Sequence, residues 1–301
     1  MEPNILLHGV FVSLVTPFVQ EKISFELLEE NVTKQNKTSV KGYLVLGGNG
    51  EYMSLSEDEQ LKILSRVSKL KEDKKLICGV ACESTHLTIE RAKLIADYGV
   101  DLLRILPPHY FASRMTDEVL IRFYEEVADN SPVPFILYNV PKLTNGVGLS
   151  PEGVKRLAGH PRIIGIKDSS AEGIYGFLAA TKNVHSFAVL AGSANIFLPA
   201  LVSGAVGGDM SLANYLPDAC CTLQKYYEEG RMAEARDLHL SLFKINKLVS
   251  GQFGVPGVKA AMDLTGYRGG EPRRPFTPLE KSDTMMIKSL LEMEGLLPHT
   301  G

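Results

Sequence analysis

The sequence has no excess of basic residues: 32 lysines and arginines stand against 35 aspartates and glutamates, giving a formal net charge of −3. That balance leaves nothing to neutralise a phosphate backbone. It excludes nucleic acid as a general partner while leaving room for a small anion at a local site. Nowhere do about 18 apolar residues run without a charge, so no membrane span is expected. The opening stretch, MEPNILLHGVFVSLVTPF, lacks the charged start and long apolar core of a signal peptide, and it is not the Arg- and Ser-rich pattern of a transit peptide. Cysteine is scarce, and Cys78, Cys82, Cys220 and Cys221 have neither the framework spacing of disulfides nor that of a zinc site. A reduced, cytoplasmic protein is expected. The histidines at 8, 86, 109, 160, 185, 239 and 299 are scattered without ligand spacing, so no metal centre is expected.

What is present is the composition of an ordinary globular protein, with 45% hydrophobic and 22% charged residues over 301 positions. Eight short apolar runs rich in β-branched residues punctuate the chain: 9–15, 42–47, 75–80, 101–106, 134–139, 163–167, 187–192 and 204–210. Each suits a strand buried on both faces. Amphipathic stretches with a period near 3.6 lie between them, as at 56–70, 85–99 and 116–129. Ser56 with Glu59 forms a capping box, Thr116 is an N-cap, and Gly99 sits where a helix should stop. Strand and helix alternating at this spacing predict a parallel (β/α)8 TIM barrel, with a doubly wound open sheet as the alternative. The barrel should occupy 1–215. Residues 217–249 and 279–296 read as further helices, a C-terminal extension over 216–301 suited to subunit contacts.

In a TIM barrel the chemistry sits where strands end. The polar strand-end residues are therefore the candidates: Thr16, Gly48-Asn49-Gly50-Glu51, Tyr110, Tyr138, Lys167, Gly192-Ser193 and Gly208-Asp209-Met210. Lys167 closes the run IIGIK, so its amine should point into the barrel mouth from a largely desolvated position. Burial disfavours the ammonium form, which is how a lysine becomes a nucleophile toward ketones. The same residue could instead snorkel at the strand end and pair with Asp168. Tyr138 could shuttle protons beside such a lysine, or serve only as strand packing. Glu51 starts a helix, where the dipole stabilises a carboxylate, and this favours a structural role over that of a general base.

Three stretches, LGGNGEYMSLSEDE (46–59), LYNVP (137–141) and GIKDSS (165–170), resemble signatures of the dihydrodipicolinate synthase / N-acetylneuraminate lyase superfamily. The resemblance runs from GVFVSLVTPF to FGVPGVKAAMDLTGYRGGEPRRPF (253–276), about nine-tenths of the chain. It implies class I aldolase chemistry on a (β/α)8 barrel, no cofactor, and a homotetramer built as a dimer of dimers. By that resemblance Lys167 condenses with pyruvate and Tyr138 shuttles protons. The backbone amides of Gly48 and Asn49 hold the pyruvate carboxylate. Met210 contacts the pyruvoyl group through its backbone, and Tyr110 is lent to a neighbouring subunit's site.

Two departures stand out. Most relatives carry Thr or Ser at the position of Gly48, whose hydroxyl links the two tyrosines in a proton relay. The synthase proper carries an arginine for the semialdehyde carboxylate where this chain has Leu143. The stretches ACESTH (81–86), PPHYFASRM, LAGSANIF (190–197), GAVGG and FGVPG are most similar to the 4-hydroxy-2-oxoglutarate aldolase subfamily. The expectation is therefore cleavage of a 4-hydroxy-2-oxo acid, first 4-hydroxy-2-oxoglutarate, to pyruvate and an aldehyde such as glyoxylate. The alternatives are dihydrodipicolinate synthase, a 2-keto-3-deoxy sugar acid aldolase, or a binding relative that keeps only the fold. Lys142 or Ser193 could meet the acceptor carboxylate.

Overall fold

The computed structural model describes residues 6–170 and 173–297. The expected termini of the barrel and extension, and His299, lie partly or wholly outside the described residues. Eight parallel strands form the sheet: β1 (Gly9–Ser13), β2 (Gly42–Val45), β3 (Lys75–Val80), β4 (Leu102–Ile105), β5 (Phe135–Asn139), β6 (Ile163–Asp168), β7 (Ala188–Ala191) and β8 (Gly207–Met210). Their hydrogen-bonded order, β1-β8-β7-β6-β5-β4-β3-β2 and back to β1, closes a TIM barrel and rules out the open sheet. Closure leaves no strand edge unpaired, and nearly every strand residue is buried, the charged Arg104, Lys167, Asp168 and Asp209 included. Each expected strand is found: 75–80 in full, 163–167 extended by one residue to Asp168, and the others trimmed by up to three residues at an end.

The chain divides into two compact units. The first takes the residues up to Gly9 and then Lys75–Asp209. It contains helices α3 (Thr85–Ala96), α4 (Asp117–Asn130), α5 (Pro151–Leu157), α6 (Gly173–Thr181) and α7 (Phe197–Val202). Ser84 and Thr116 start α3 and α4 by accepting from the N–H groups of Leu87 and Val119. Gly99, at φ +73°, follows the end of α3.

The second unit takes Val10–Lys74 and Met210 onward. It holds α1 (Phe25–Asn36), α2 (Glu57–Leu70), α8 (Pro217–Glu228), α9 (Met232–Asn246), α10 (Gly254–Leu264) and α11 (Lys281–Met293). The capping box of α2 forms as expected: Glu59 N–H donates to Ser56 Oγ, and Ser56 N–H donates to Glu59 Oε2. Past α9 the chain makes a π-helical turn, Lys247–Gln252, before α10 begins. Among the described residues no helix is long and apolar enough to cross a membrane.

Candidate active site

Lys167 and Tyr138 are register partners on β6 and β5, so both side chains project from the same face of the sheet. Lys167 is buried, at 4% exposure, and its Nζ lies 5.0 Å from the centre of the Tyr138 ring. The next register pair, Asn139 and Asp168, faces the other way, and Asn139 Nδ2 donates to Asp168 Oδ1 at 2.6 Å. Ser170 Oγ donates to both Asp168 oxygens. Asp168 is therefore committed to the outer face and is not the partner of Lys167.

That partner is Asp209, at the end of β8: Lys167 Nζ sits 2.9 Å from its Oδ2. The reason is the alternation of a pleated strand, which turns sequence neighbours to opposite faces. Arg104 of β4 reaches the same Oδ2 through Nη1 at 3.1 Å. β4 and β8 stand four strands apart in the closed order whichever way it is counted, so this bond crosses the barrel interior. The Arg104 guanidinium also lies 4.1 Å from the centre of the Tyr138 ring. The cluster thus places two cations and one carboxylate around a phenol, all but the phenol almost fully buried. Its surplus positive charge suits an anionic ligand.

Sequence reasoning missed Arg104. The signal was there, an arginine inside the apolar run DLLRIL whose burial on both faces the barrel pattern predicts. An arginine in such a place needs an anion and a function or structural partner to hold it.

The remaining candidates in this unit lie on loops. Ser193 caps the short turn Ala194–Ile196 by accepting from Asn195 N–H. Gly192 packs against the end of β6, where an added Cβ would fall 2.5 Å from the Asp168 carbonyl oxygen. Tyr110 is 74% exposed and meets Phe111 edge-on, with ring centres 5.0 Å apart. No described bond joins it to Lys167 or Tyr138. Its backbone is fixed from below, because Glu83 accepts the N–H groups of both His109 and Tyr110. His109 Nδ1 is 3.2 Å from the same carboxylate, so this histidine is a loop anchor. Lys142 and Leu143 sit on the turn Pro141–Leu143, and both are exposed.

In the second unit Gly48 and Asn49 form the turn after β2. The turn is closed by Gly50 and Glu51 N–H groups donating to the carbonyls of Gly47 and Gly48. A Cβ built on Gly48 meets nothing within 4 Å. Met210 is buried at the end of β8.

Glu51 is structural, as its place suggested, but the helix dipole is not the cause. It precedes only a three-residue 3-10 turn, at φ +53°. Its Oε1 instead forms a 2.6 Å ion pair with Lys259, and its Oε2 accepts Arg273 N–H. Burial lowers Lys259 to a pKa of about 8, against the pull of Glu51. A lowered pKa taken alone would make this lysine a candidate nucleophile. Geometry argues otherwise, because Nζ also donates to the carbonyls of Thr16 and Glu271 at 2.8 and 2.7 Å, which uses its donors on the fold.

Arg273 completes the support by clasping Glu59 with Nη1 and Nη2 at 2.8 and 2.7 Å. This holds the Glu59 carboxyl at about 2. Among the described residues, no three of His, Cys, Asp and Glu come together as metal ligands.

A buried strand-end lysine beside a tyrosine on a TIM barrel defines the class, the aldolase-type carbon–carbon lyases. The chain belongs to the dihydrodipicolinate synthetase family, whose profile matches residues 6–294. It is 30% identical over 289 residues to a 4-hydroxy-tetrahydrodipicolinate synthase of an Exiguobacterium species, covering 95% of this chain and 98% of that one. It is 29% identical over 293 residues to the enzyme of the same name from Methanococcus aeolicus, covering 97% and 100%. Among solved structures, the dihydrodipicolinate synthase of Thermotoga maritima superposes with a TM-score of 0.91 at 27% identity, covering 97% of this chain and 100% of that one. YagE of Escherichia coli K12, a member of the same family solved in complex with pyruvate, gives 0.89 at 27% identity, covering 97% and 99%.

Proposed function

We propose that the protein forms an imine between Lys167 and the ketone carbon of pyruvate, and makes or breaks a carbon–carbon bond at the adjacent methyl carbon. The observation that carries this reading is the pairing of Lys167 with Tyr138 on adjacent strand ends, the lysine buried and its nitrogen 5.0 Å from the ring centre. The amine attacks the ketone, water leaves, and the imine loses a proton to become an enamine, whose terminal carbon is the nucleophile. Tyr138 carries protons between these steps. The surplus positive charge of the cluster favours a 2-oxo acid over a neutral ketone. By resemblance the pyruvate carboxylate is assigned to the Gly48 and Asn49 amides, Met210 is a further backbone contact, and Tyr110 is lent between subunits of a tetramer.

Two acceptors divide the support. The names of the relatives favour condensation with aspartate semialdehyde, the synthase reaction, and no relative named above is a 4-hydroxy-2-oxoglutarate aldolase. Leu143 favours cleavage of 4-hydroxy-2-oxoglutarate. A leucine 63% exposed where the synthase has a guanidinium forfeits a charge-assisted contact typically worth about 1.5–3 kcal/mol. The test is a substrate panel: pyruvate release from 4-hydroxy-2-oxoglutarate and from a 2-keto-3-deoxy sugar acid, beside pyruvate consumption with aspartate semialdehyde. Turnover of the semialdehyde alone establishes the synthase, turnover of a hydroxy-oxo acid alone the aldolase. Turnover of none overturns the proposal.

A further inference from the structure

The relay hydroxyl that relatives carry at the Gly48 position is absent here, and the first unit holds a group placed to do acid–base work on the same lysine. We propose that Asp209 is a catalytic residue, the proton acceptor and donor for Lys167, and that Arg104 is its positioning residue. This rests on the reading of Lys167 as the imine-forming lysine.

The geometry is direct. Asp209 Oδ2 is 2.9 Å from Lys167 Nζ, the reacting atom, and its carboxylate is fully buried. Its other oxygen, Oδ1, is buried with no hydrogen-bond partner among the described residues, leaving a site where a proton can rest. Arg104 holds Oδ2 from across the barrel at 3.1 Å, while its Nε and Nη2 are themselves buried without partners. A fold seeking only stability would have an apolar pair here, since buried ion pairs rarely outperform packed hydrophobic residues. Among the described residues the charged groups that contact Asp209 are Lys167 from β6 and Arg104 from β4, with the Tyr138 phenol of β5 beside both. The neighbouring strand β7, Ala188–Ala191, brings only alanine, valine and leucine.

The step balances. The Lys167 ammonium passes one proton to the Asp209 carboxylate, giving a neutral amine and a neutral acid. The amine nitrogen bonds to the ketone carbon, the carbonyl π pair moves to oxygen, and a proton crosses from nitrogen to that oxygen to give the carbinolamine. The carbon–oxygen bond then breaks as the Asp209 acid protonates the departing hydroxyl. Water, the protonated imine and the original carboxylate are the products. Without Arg104, the carboxylate would keep only the lysine it must deprotonate as its counter-charge.

The experiment is the rate at which borohydride traps the pyruvate adduct, followed between about pH 5 and about pH 9. For the wild-type protein a nearly flat rate is expected between about pH 6 and about pH 8, because the base is internal. Asp209→Asn should trap about 100-fold more slowly at about pH 6 and recover close to tenfold per pH unit, as solvent takes over deprotonation. Because that variant leaves two buried cations without an anion, Arg104→Leu/Asp209→Asn is made beside it and should show the same profile.

Arg104→Leu alone should move the acid limb of the rate to higher pH by about one unit, while Arg104→Lys keeps the limb near wild type. Asp209 variants within threefold of wild type at every pH overturn the inference, as does a wild-type rate that itself climbs tenfold per unit. A wild-type protein that traps no adduct at all overturns instead the reading of Lys167 on which this rests.

Discussion

Replacing Arg273 by methionine tests how the turn carrying Gly48 and Asn49 is held. Arg273 makes a two-pronged bond to Glu59, donates to the carbonyls of Ser54 and Glu21, and lies 4.3 Å over the Phe18 ring. Its own N–H fixes Glu51, three residues past Gly48. The Glu59 carboxyl falls from 4.5 to about 2, mainly through this arginine. At 1.36 kcal/mol per unit that is a ceiling of roughly 3 kcal/mol. Glu59 is 28% exposed, and solvent screening brings the figure to about 1–2 kcal/mol. The two carbonyl bonds add about 1 kcal/mol each and the aromatic contact about 0.5–1 kcal/mol.

The variant should therefore be less stable by about 3–5 kcal/mol in urea unfolding at about pH 7. The pH dependence follows from the sign of the shift. A depressed carboxyl stabilises the fold above its ordinary value of 4.5, and that contribution drains away as pH falls toward about 2. The gap between wild type and variant should then narrow by about 1 kcal/mol between about pH 6 and about pH 3. A gap that stays constant over this range would refute the assignment of the clasp to an ionised Glu59.

Gly48→Thr should fold with unchanged stability, since its Cβ meets no atom within 4 Å, and it should raise kcat by restoring a hydroxyl to the relay. A loss of kcat or of folded protein in circular dichroism contradicts that. Tyr138→Phe should lower kcat by about 100-fold or more while leaving pyruvate affinity nearly unchanged, as expected for a proton carrier. Equal losses in kcat and affinity would make the tyrosine a packing residue. Tyr110, 74% exposed with Phe111 beside it, should become covered in an assembly. Sedimentation at assay concentration should find an oligomer, and a fully active monomer would remove the proposed sharing of Tyr110.

All eight strands and the capped starts of α2 and α4 were legible in the sequence, because period and capping are local signals. Lys167 and Tyr138 were legible for the same reason, as polar residues closing apolar runs. What stayed hidden is what closure of the barrel creates. Arg104 and Asp209 are 105 residues apart and meet across the interior, a contact no spacing rule contains. Asp168 looked like the lysine's partner because it is adjacent, and the pleat turns adjacent residues apart. The helix α10 was not among the expected helices; its start, FGVPG, holds Gly254 at φ +61° and Pro256, two residues that weaken a helical pattern. Lys259, buried against Glu51 from the far end of the chain, was equally invisible, since its partners are assembled only by folding.

The most direct test of the central claim is to incubate the protein with pyruvate, reduce it with borohydride, and map the modified peptide by mass spectrometry. One reduced pyruvyl group is expected, carried by Lys167, with Lys259 unmodified and no adduct in Lys167→Ala. An adduct on Lys259, or one that survives Lys167→Ala, would contradict it.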